Sequence, residues 1–310
     1  MDGILVVNKP SGLSSNDVGQ KVKRMLALKK IGHLGTLDPL ATGVLPLCIN
    51  EGTKLVQFLV ETEKEYIATL QLGVETDTQD IQGAVLNETD DICRDKNAII
   101  QAVMALKGEI FQTPPMFSAL KHNGVPLYKL ARKGMDIPRK PRKVVIHDVE
   151  VLSIDCPYVV FRVVCSHGTY VRTLCHDIGR ELLCGGCLVR LERVRTGVFH
   201  IGDCVSMEDF SEPSCEDLIA KHLISPKDAL AGLPEIIADN GLVRRIRNGT
   251  PVTVHDLTGI ELPKLTVGQK IKIVYQDSLI GVVECLVDDE KLHDYEPDTK
   301  AWKICRVFIN

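Results

Sequence analysis

A chain of 310 residues, 45% hydrophobic and 25% charged, has the composition of an ordinary globular protein with one large or two smaller domains. Its formal net charge of −4 excludes recognition of a polyanion by overall charge, so nucleic-acid binding would have to use local basic patches. The start shows no charged-then-apolar leader pattern and no apolar run approaches the roughly 20 residues of a membrane span, so neither a signal peptide nor a membrane anchor is expected.

Residues 3–7, GILVV, read as a first strand, which the stretch 8–12, NKPSG, breaks. Ser14, Ser15 or Asn16 can cap a helix running to about Leu28, with Val18, Val22, Met25 and Leu26 at helical spacing. Lys21, Lys23, Arg24, Lys29 and Lys30 make that helix and its exit basic.

The chain then enters 32–47, GHLGTLDPLATGVLPL. Its glycines allow positive φ or close backbone approach, and Pro39 pushes Asp38 away from helical geometry. The expectation is a stiff, irregular loop that presents Asp38 and runs into an apolar strand from Val44 to Ile49. Asp-Pro also starts ordinary turns in which the carboxylate bonds nearby amides, so the loop's composition alone leaves both readings open.

Residues 53–60 carry one apolar helical face, Leu55, Phe58 and Leu59. Tyr66, Ala68, Leu70 and Leu72 then share one face of a strand over 65–73, placing Tyr66 half buried or deeper. An acidic, Gly-closed turn follows at 74–83, and a helix at 95–107 with Ile99, Val103 and Leu106 on one side. Residues 121–143 are the most basic stretch, with eight cations against one acid, Asp136. They predict a mobile arm with a short helix at 126–133.

Two strands over 144–154 and 158–165 precede Ser166-His167-Gly168, and a helix runs from there to about Leu183. Tyr170 and Arg172 stand at that strand-to-helix junction, where a rigid frame holds side chains in place. Another strand covers 188–198. A linker-like change comes near 211–233, and from Leu233 a helix capped by Asp239-Asn240 and short strands at about 251–254, 270–274, 279–287 and 302–309 suggest a small barrel.

The fold class is therefore α+β: a mixed, mainly antiparallel central sheet flanked by helices and loops over 1–232, plus a small β-rich unit over 233–310. The 11 cysteines, an odd number set mostly in apolar segments such as those around Cys48, Cys165 and Cys305, fit reduced thiols in a cytoplasmic protein. Cys184 and Cys187 form the only CxxC, and a zinc site would need a second pair that the sequence lacks. No phosphate-cradling loop, dinucleotide fingerprint or metal motif is present, so neither a cofactor nor a metal is expected.

The string GHLGTLDPLATGVLPL resembles the signature loop of the TruB-type tRNA pseudouridine synthases. The resemblance continues through GILVVNKPSGLSSNDVGQKVKR (3–24), KEYIATLQLGVETDTQDIQG (64–83) and HGTYVRTLCHDIGRELLCGGCLVRLERVRTG (167–197). The tail from 233 is similar, more weakly, to the PUA domain, an RNA-binding module that accompanies this family.

The resemblance implies isomerisation of uridine to pseudouridine at position 55 in the T loop of tRNA. The glycosidic bond moves from N1 to C5, which needs a nucleophile to hold one fragment while the base turns. By resemblance Asp38 is that nucleophile, with attack at C1′ and at C6 both open. Tyr66 matches the active-site tyrosine that stacks on the uracil and can join in removing the C5 proton. Arg172 matches the arginine that pairs with the carboxylate. His33 matches the residue that fills the space left by the flipped base, Tyr170 and Leu191 match pocket-lining positions, and Lys9 matches a position near the site.

With RNA as partner, the arm at 121–143 becomes a phosphate-tracking element, with Lys129, Arg132 and Lys133 as its backbone contacts. The expected partner is the tRNA T-stem loop, and the default oligomeric state is a monomer. The rival reading is a non-catalytic RNA-binding scaffold or tRNA chaperone on the same fold. A carboxylate-using hydrolase finds no paired acid at a persuasive spacing.

Overall fold

The protein is described here by a computed structural model covering residues 1–211, 215–288 and 294–308. Seven main strands build a central sheet: β1 (Gly3–Lys9), β2 (Thr42–Ile49), β3 (Lys64–Leu72), β4 (Gly108–Gln112), β5 (Arg142–Asp155), β6 (Tyr158–Cys165) and β7 (Gly186–Thr196). They lie in the order β1-β2-β7-β3-β6-β5-β4, with short strands Ile31–His33 and Phe199–His200 added beside β2 and β7. Every pairing is antiparallel except β7 with β2. The expected mixed, mainly antiparallel sheet is the sheet observed.

Three helices cover one face: α1 (Ser15–Met25), α2 (Lys96–Met104) and α3 (Val171–Glu181). α1 starts where it does because Ser14 and Asp17 form a reciprocal capping box. Val18 and Val22 of α1, Ile99 and Val103 of α2, and Leu174 and Ile178 of α3 are buried in one core with Leu45, Leu47, Ala68, Leu70, Phe161 and Val163 of the sheet.

The C-terminal region forms a five-stranded sheet from β8 (Glu235–Ile237), β9 (Val252–Thr253), β10 (Lys270–Tyr275), β11 (Ser278–Cys285) and β12 (Lys300–Val307), ordered β8-β10-β11-β12-β9. Strand β8 was not expected; it is three residues long and pairs in parallel with β10. Helix α4 (Asn240–Arg247) is capped by Asp239, whose carboxylate accepts from the Leu242 amide at 2.7 Å. This region has its own core around Ile246, Ile271, Val283 and Trp302. Among the described residues no helix is long and apolar enough to cross a membrane.

Two local expectations need correction. The segment 53–60 is not one helix but a 3-10 turn, Asn50–Leu55, running into the short helix Val56–Leu59. The stretch expected to be a linker is docked on the main unit: Ile219, with Phe210 just before the stretch, is buried in the main core, and Ile224 exchanges two backbone hydrogen bonds of 2.9 Å with Ile4. Its polar composition hid the few apolar residues that dock it. Residues 212–214 of that stretch lie outside the described residues.

Alternation along β1 and β2 explains why both read as continuous apolar runs. Leu5, Val7, Leu45, Leu47 and Ile49 face the helices, while Ile4, Val6, Val44 and Cys48 face the other way. That second face is covered by Leu279, Val282 and Phe308 of the C-terminal sheet and by Ala229 and Leu230. The Lys54 ammonium also donates to the Val307 carbonyl at 3.0 Å. Truncation after Gly232 should therefore uncover an apolar seam, at a cost on the order of several kcal/mol. A lower melting temperature and binding of a hydrophobic dye are expected; a truncated chain as stable as the full one would show that the seam contributes little.

Candidate active site

The Asp38 loop is fixed from three sides. Ser15, in the first turn of α1, accepts from the Leu37 amide at 2.8 Å and donates to the Leu37 carbonyl at 3.0 Å. The Gly12 amide donates to the Pro39 carbonyl at 2.8 Å. Lys9, fully buried, donates to the carbonyls of Pro10, Pro39 and Ala41 at 2.9, 3.2 and 2.6 Å. Burial pushes the Lys9 ammonium down to about 8, against the attraction of Asp38. Gly43, at φ +99°, lies so close to β7 that a Cβ would stand 2.3 Å from the Arg193 carbonyl oxygen.

Asp38 lies in a cavity of about 290 Å³ whose walls also include Tyr66, Tyr170, Arg172 and Leu191. Arg172 projects from the first turn of α3 and grips the carboxylate twice, Nε to Oδ2 at 2.8 Å and Nη2 to Oδ1 at 3.3 Å. Such a two-point fork fixes orientation as well as charge. The guanidinium is held in turn by the Thr78 and Phe117 carbonyls, each at 2.8 Å. Asp80 approaches its far side, Nη1 to Oδ2 at 3.8 Å. Asp80 is locked by hydrogen bonds from the Thr78 hydroxyl at 2.8 Å and the Gln82 amide at 3.1 Å.

The cavity mouth leaves 37% of the Asp38 side chain accessible, but its carboxyl group lies deep in the protein. Burial raises its pKa above the ordinary carboxylate value; Arg172 pulls it down, Asp80 pushes it up and Lys9 pulls it down.

Tyr66 is 6% exposed on β3, and burial holds its phenol above the ordinary tyrosine value. Tyr170 is positioned by Gln112 of β4: the Tyr170 amide donates to Gln112 Oε1 at 3.0 Å, and Gln112 Nε2 donates to the Tyr170 carbonyl at 3.2 Å. Leu191 lines the cavity from β7.

His33 stands at the start of the loop, outside the cavity wall, with Nε2 3.2 Å from Thr36 Oγ1. Burial, with Arg193 nearby, lowers its imidazole pKa. Lys9 does not reach the wall either: the loop's own carbonyls take its ammonium, so it positions Asp38's backbone and makes no contact with the cavity.

Lys64, Ser118 and Arg193 line the cavity and Asp80 backs it, and none was singled out from the sequence. Strand parity could have found two of them. Lys64 shares a face with Tyr66, and Arg193 shares one with Leu191.

The basic stretch forms a small hairpin, Lys121–His122 with Val125–Pro126, and a helix, Leu127–Ala131, shorter than expected. Lys129, Arg132 and Lys133 are exposed. The arm is tied to the cavity wall: the Tyr128 amide donates to the Ser118 carbonyl at 3.1 Å and the Leu127 amide to the Leu120 carbonyl at 2.7 Å. The arm is thus anchored to the wall of the Asp38 cavity through Ser118 and Leu120. Replacing Lys129, Arg132 and Lys133 together by Ala should weaken tRNA binding and flatten its salt dependence, by about one log–log unit for each phosphate no longer neutralised. Turnover at saturating RNA should change less. An unchanged salt slope would remove the arm from the interface.

Two family models match the chain consecutively: the TruB family pseudouridylate synthase N-terminal domain over residues 23–171, and the tRNA pseudouridylate synthase B C-terminal domain over residues 172–230. The chain is 46% identical to the tRNA pseudouridine synthase B of Clostridium kluyveri, over 81% of this chain and 86% of that protein. It is 42% identical to the enzyme of the same name from Syntrophus aciditrophicus, over 99% of both. Among solved structures it resembles a chain of a Cbf5–Nop10–Gar1 complex, with a TM-score of 0.74 and 28% identity over 99% of this chain and 85% of that one. An archaeal box H/ACA Nop10–Cbf5 complex gives 0.73 and 26%, over 99% and 86%.

Proposed function

The chain belongs to the TruB family of pseudouridylate synthases and isomerises uridine to pseudouridine in tRNA, and we propose that its target is the uridine at position 55 of the T loop, with Asp38 as the nucleophile. The observation that carries this reading is the fork between Arg172 and Asp38 at the heart of a cavity walled by Tyr66, Tyr170 and Leu191. A carboxylate so held is aimed, and the guanidinium opposes the burial that would otherwise favour its protonated form over the ionised one a nucleophile needs.

The uridine has to leave its stack to reach Asp38, at a cost on the order of a few kcal/mol, which pocket contacts and stacking on Tyr66 offset. His33, beside the loop, fills the space the base vacates. Asp38 holds one fragment while the uracil turns, and Tyr66 takes part in removing the C5 proton. Lys129, Arg132 and Lys133 track the RNA backbone. Residues 1–232 form the catalytic unit and 233–310 a PUA-like RNA-binding unit. The protein works in the cytoplasm as a monomer on the T-stem loop.

Release of tritium from tRNA carrying [5-³H]uridine tests the reading directly. One tritium per tRNA should be released, with pseudouridine appearing at position 55. Tight tRNA binding without release would instead make the protein a scaffold.

A further inference from the structure

Arg193 is fully buried near the middle of the central sheet. It stands directly opposite Tyr66 across the β7–β3 pair. Side chains so placed have Cβ atoms about 5 Å apart on one face of the sheet. Both residues line the Asp38 cavity.

The guanidinium's bonds of good geometry go to backbone carbonyls: Nε to Val44 at 2.7 Å, and Nη2 to Gly35 at 2.9 Å and Leu34 at 3.4 Å. Nη1 is buried without a bond of good geometry, and the Tyr66 phenol is the side-chain hydrogen-bond partner beside the guanidinium. A buried cation with an incompletely bonded N–H gains from a negatively charged partner, and the phenol is the group in place to become one. Lys64 lies in the same wall, and burial, with Arg193's charge beside it, lowers its ammonium to about 8. The wall beside the Tyr66 phenol therefore carries fixed positive charge suited to an anion.

We propose that Arg193 is a positioning residue that holds Tyr66 as a phenolate between two proton transfers. This rests on the role given to Tyr66 above. With attack at C1′, an Asp38 carboxylate oxygen bonds to C1′ as the N1–C1′ bond breaks, and that bond's electron pair stays on uracil N1. The Tyr66 phenol gives N1 its proton and becomes a phenolate facing Arg193. The ring turns, bringing C5 to the place N1 held, so one phenol oxygen can serve both atoms. C5 bonds to C1′ with the ring's π electrons, and the bond to Asp38 breaks with its electrons returning to the carboxylate. The phenolate then takes the C5 proton, and the C–H pair returns to the ring. One proton has passed from C5 to N1, and the phenol is restored.

Charged or titratable groups stand around Tyr66 on every side: Arg193 from β7, Cys165 from β6, Asp38 from the loop, Lys64 on its own strand, and Tyr170 and Arg172 across the cavity. Burial, Cys165 and Asp38 all raise the phenol's pKa; Arg193 lowers it. Losing Arg193 should therefore leave the phenolate formed between the two transfers less stable and slow both of them.

The test is single-turnover pseudouridine formation at saturating tRNA between pH 6 and 9, with melting curves, for Arg193→Gln, Arg193→Lys, Tyr66→Phe and the two doubles. Arg193→Gln should be slower by about tenfold or more at pH 7. Lys should restore part of the rate. Neither Arg193 substitution should add a loss to Tyr66→Phe. If Gln unfolds the chain, Arg193→Lys in the two Tyr66 backgrounds still decides. The same fold-loss in the wild-type and Tyr66→Phe backgrounds would make Arg193 purely structural and overturn the proposal. Wild-type turnover by Tyr66→Phe alone would instead remove the phenol from the chemistry.

Discussion

Arg172→Ala should bind tRNA yet form pseudouridine slower by a factor on the order of 10²–10³, the usual cost of losing a preorganised charge contact at a reacting group. Three losses coincide. The carboxylate loses its two-point fork, and with it the influence that pulls its pKa down. Asp38 then binds a proton more readily and is less often a nucleophile at a given pH. The Thr78 and Phe117 carbonyls lose their donor, which loosens the 76–83 turn and the 115–120 wall together.

Stability should fall as well, by about 1–3 kcal/mol. That is below the roughly 3–5 kcal/mol of a fully buried broken pair, because 37% of the Asp38 side chain is accessible. Arg172→Lys should recover stability better than rate: an ammonium keeps the charge but cannot reproduce the fork. Melting curves and single-turnover rates separate the two effects. A wild-type rate and melting temperature for Arg172→Ala would show that the fork does nothing.

The Asp38 loop was legible in sequence because its Gly-Pro chemistry and apolar exit are local. Tyr66 was legible because strand parity buries it, and Arg172 because it opens a helix after a clear break. What stayed hidden depends on register between distant segments. Arg193 becomes important only because β7 lies between β2 and β3, which sets it against Gly43 on one side and Tyr66 on the other. Asp80 matters only because the 76–83 turn folds back to Arg172, which lies far along the chain.

The sequence set Lys9 near the site without saying how it is used: carbonyls of Pro10, Pro39 and Ala41 take its ammonium, a placement that only the folded loop reveals. The runs at 3–7 and 44–49 announced apolar strands. They did not say that Leu279, Val282 and Phe308 cover the second face, since nothing local in those runs encodes a partner more than 200 residues away.

The most direct test of Asp38's role is Asp38→Asn. Asn has nearly the shape of Asp, so the loop contacts through Leu37, Pro39 and Ala41 should survive and the variant should fold and bind tRNA. It has no carboxylate to attack with, so catalysis should vanish. Combining it with Arg172→Ala should cost no further activity, because residues that act as one unit are not additive. The measurement is single-turnover pseudouridine formation on one tRNA transcript by the purified variant, with wild-type contamination excluded. No product above the uncatalysed background is the predicted result; clear turnover would contradict Asp38 as the nucleophile and the mechanism built on it.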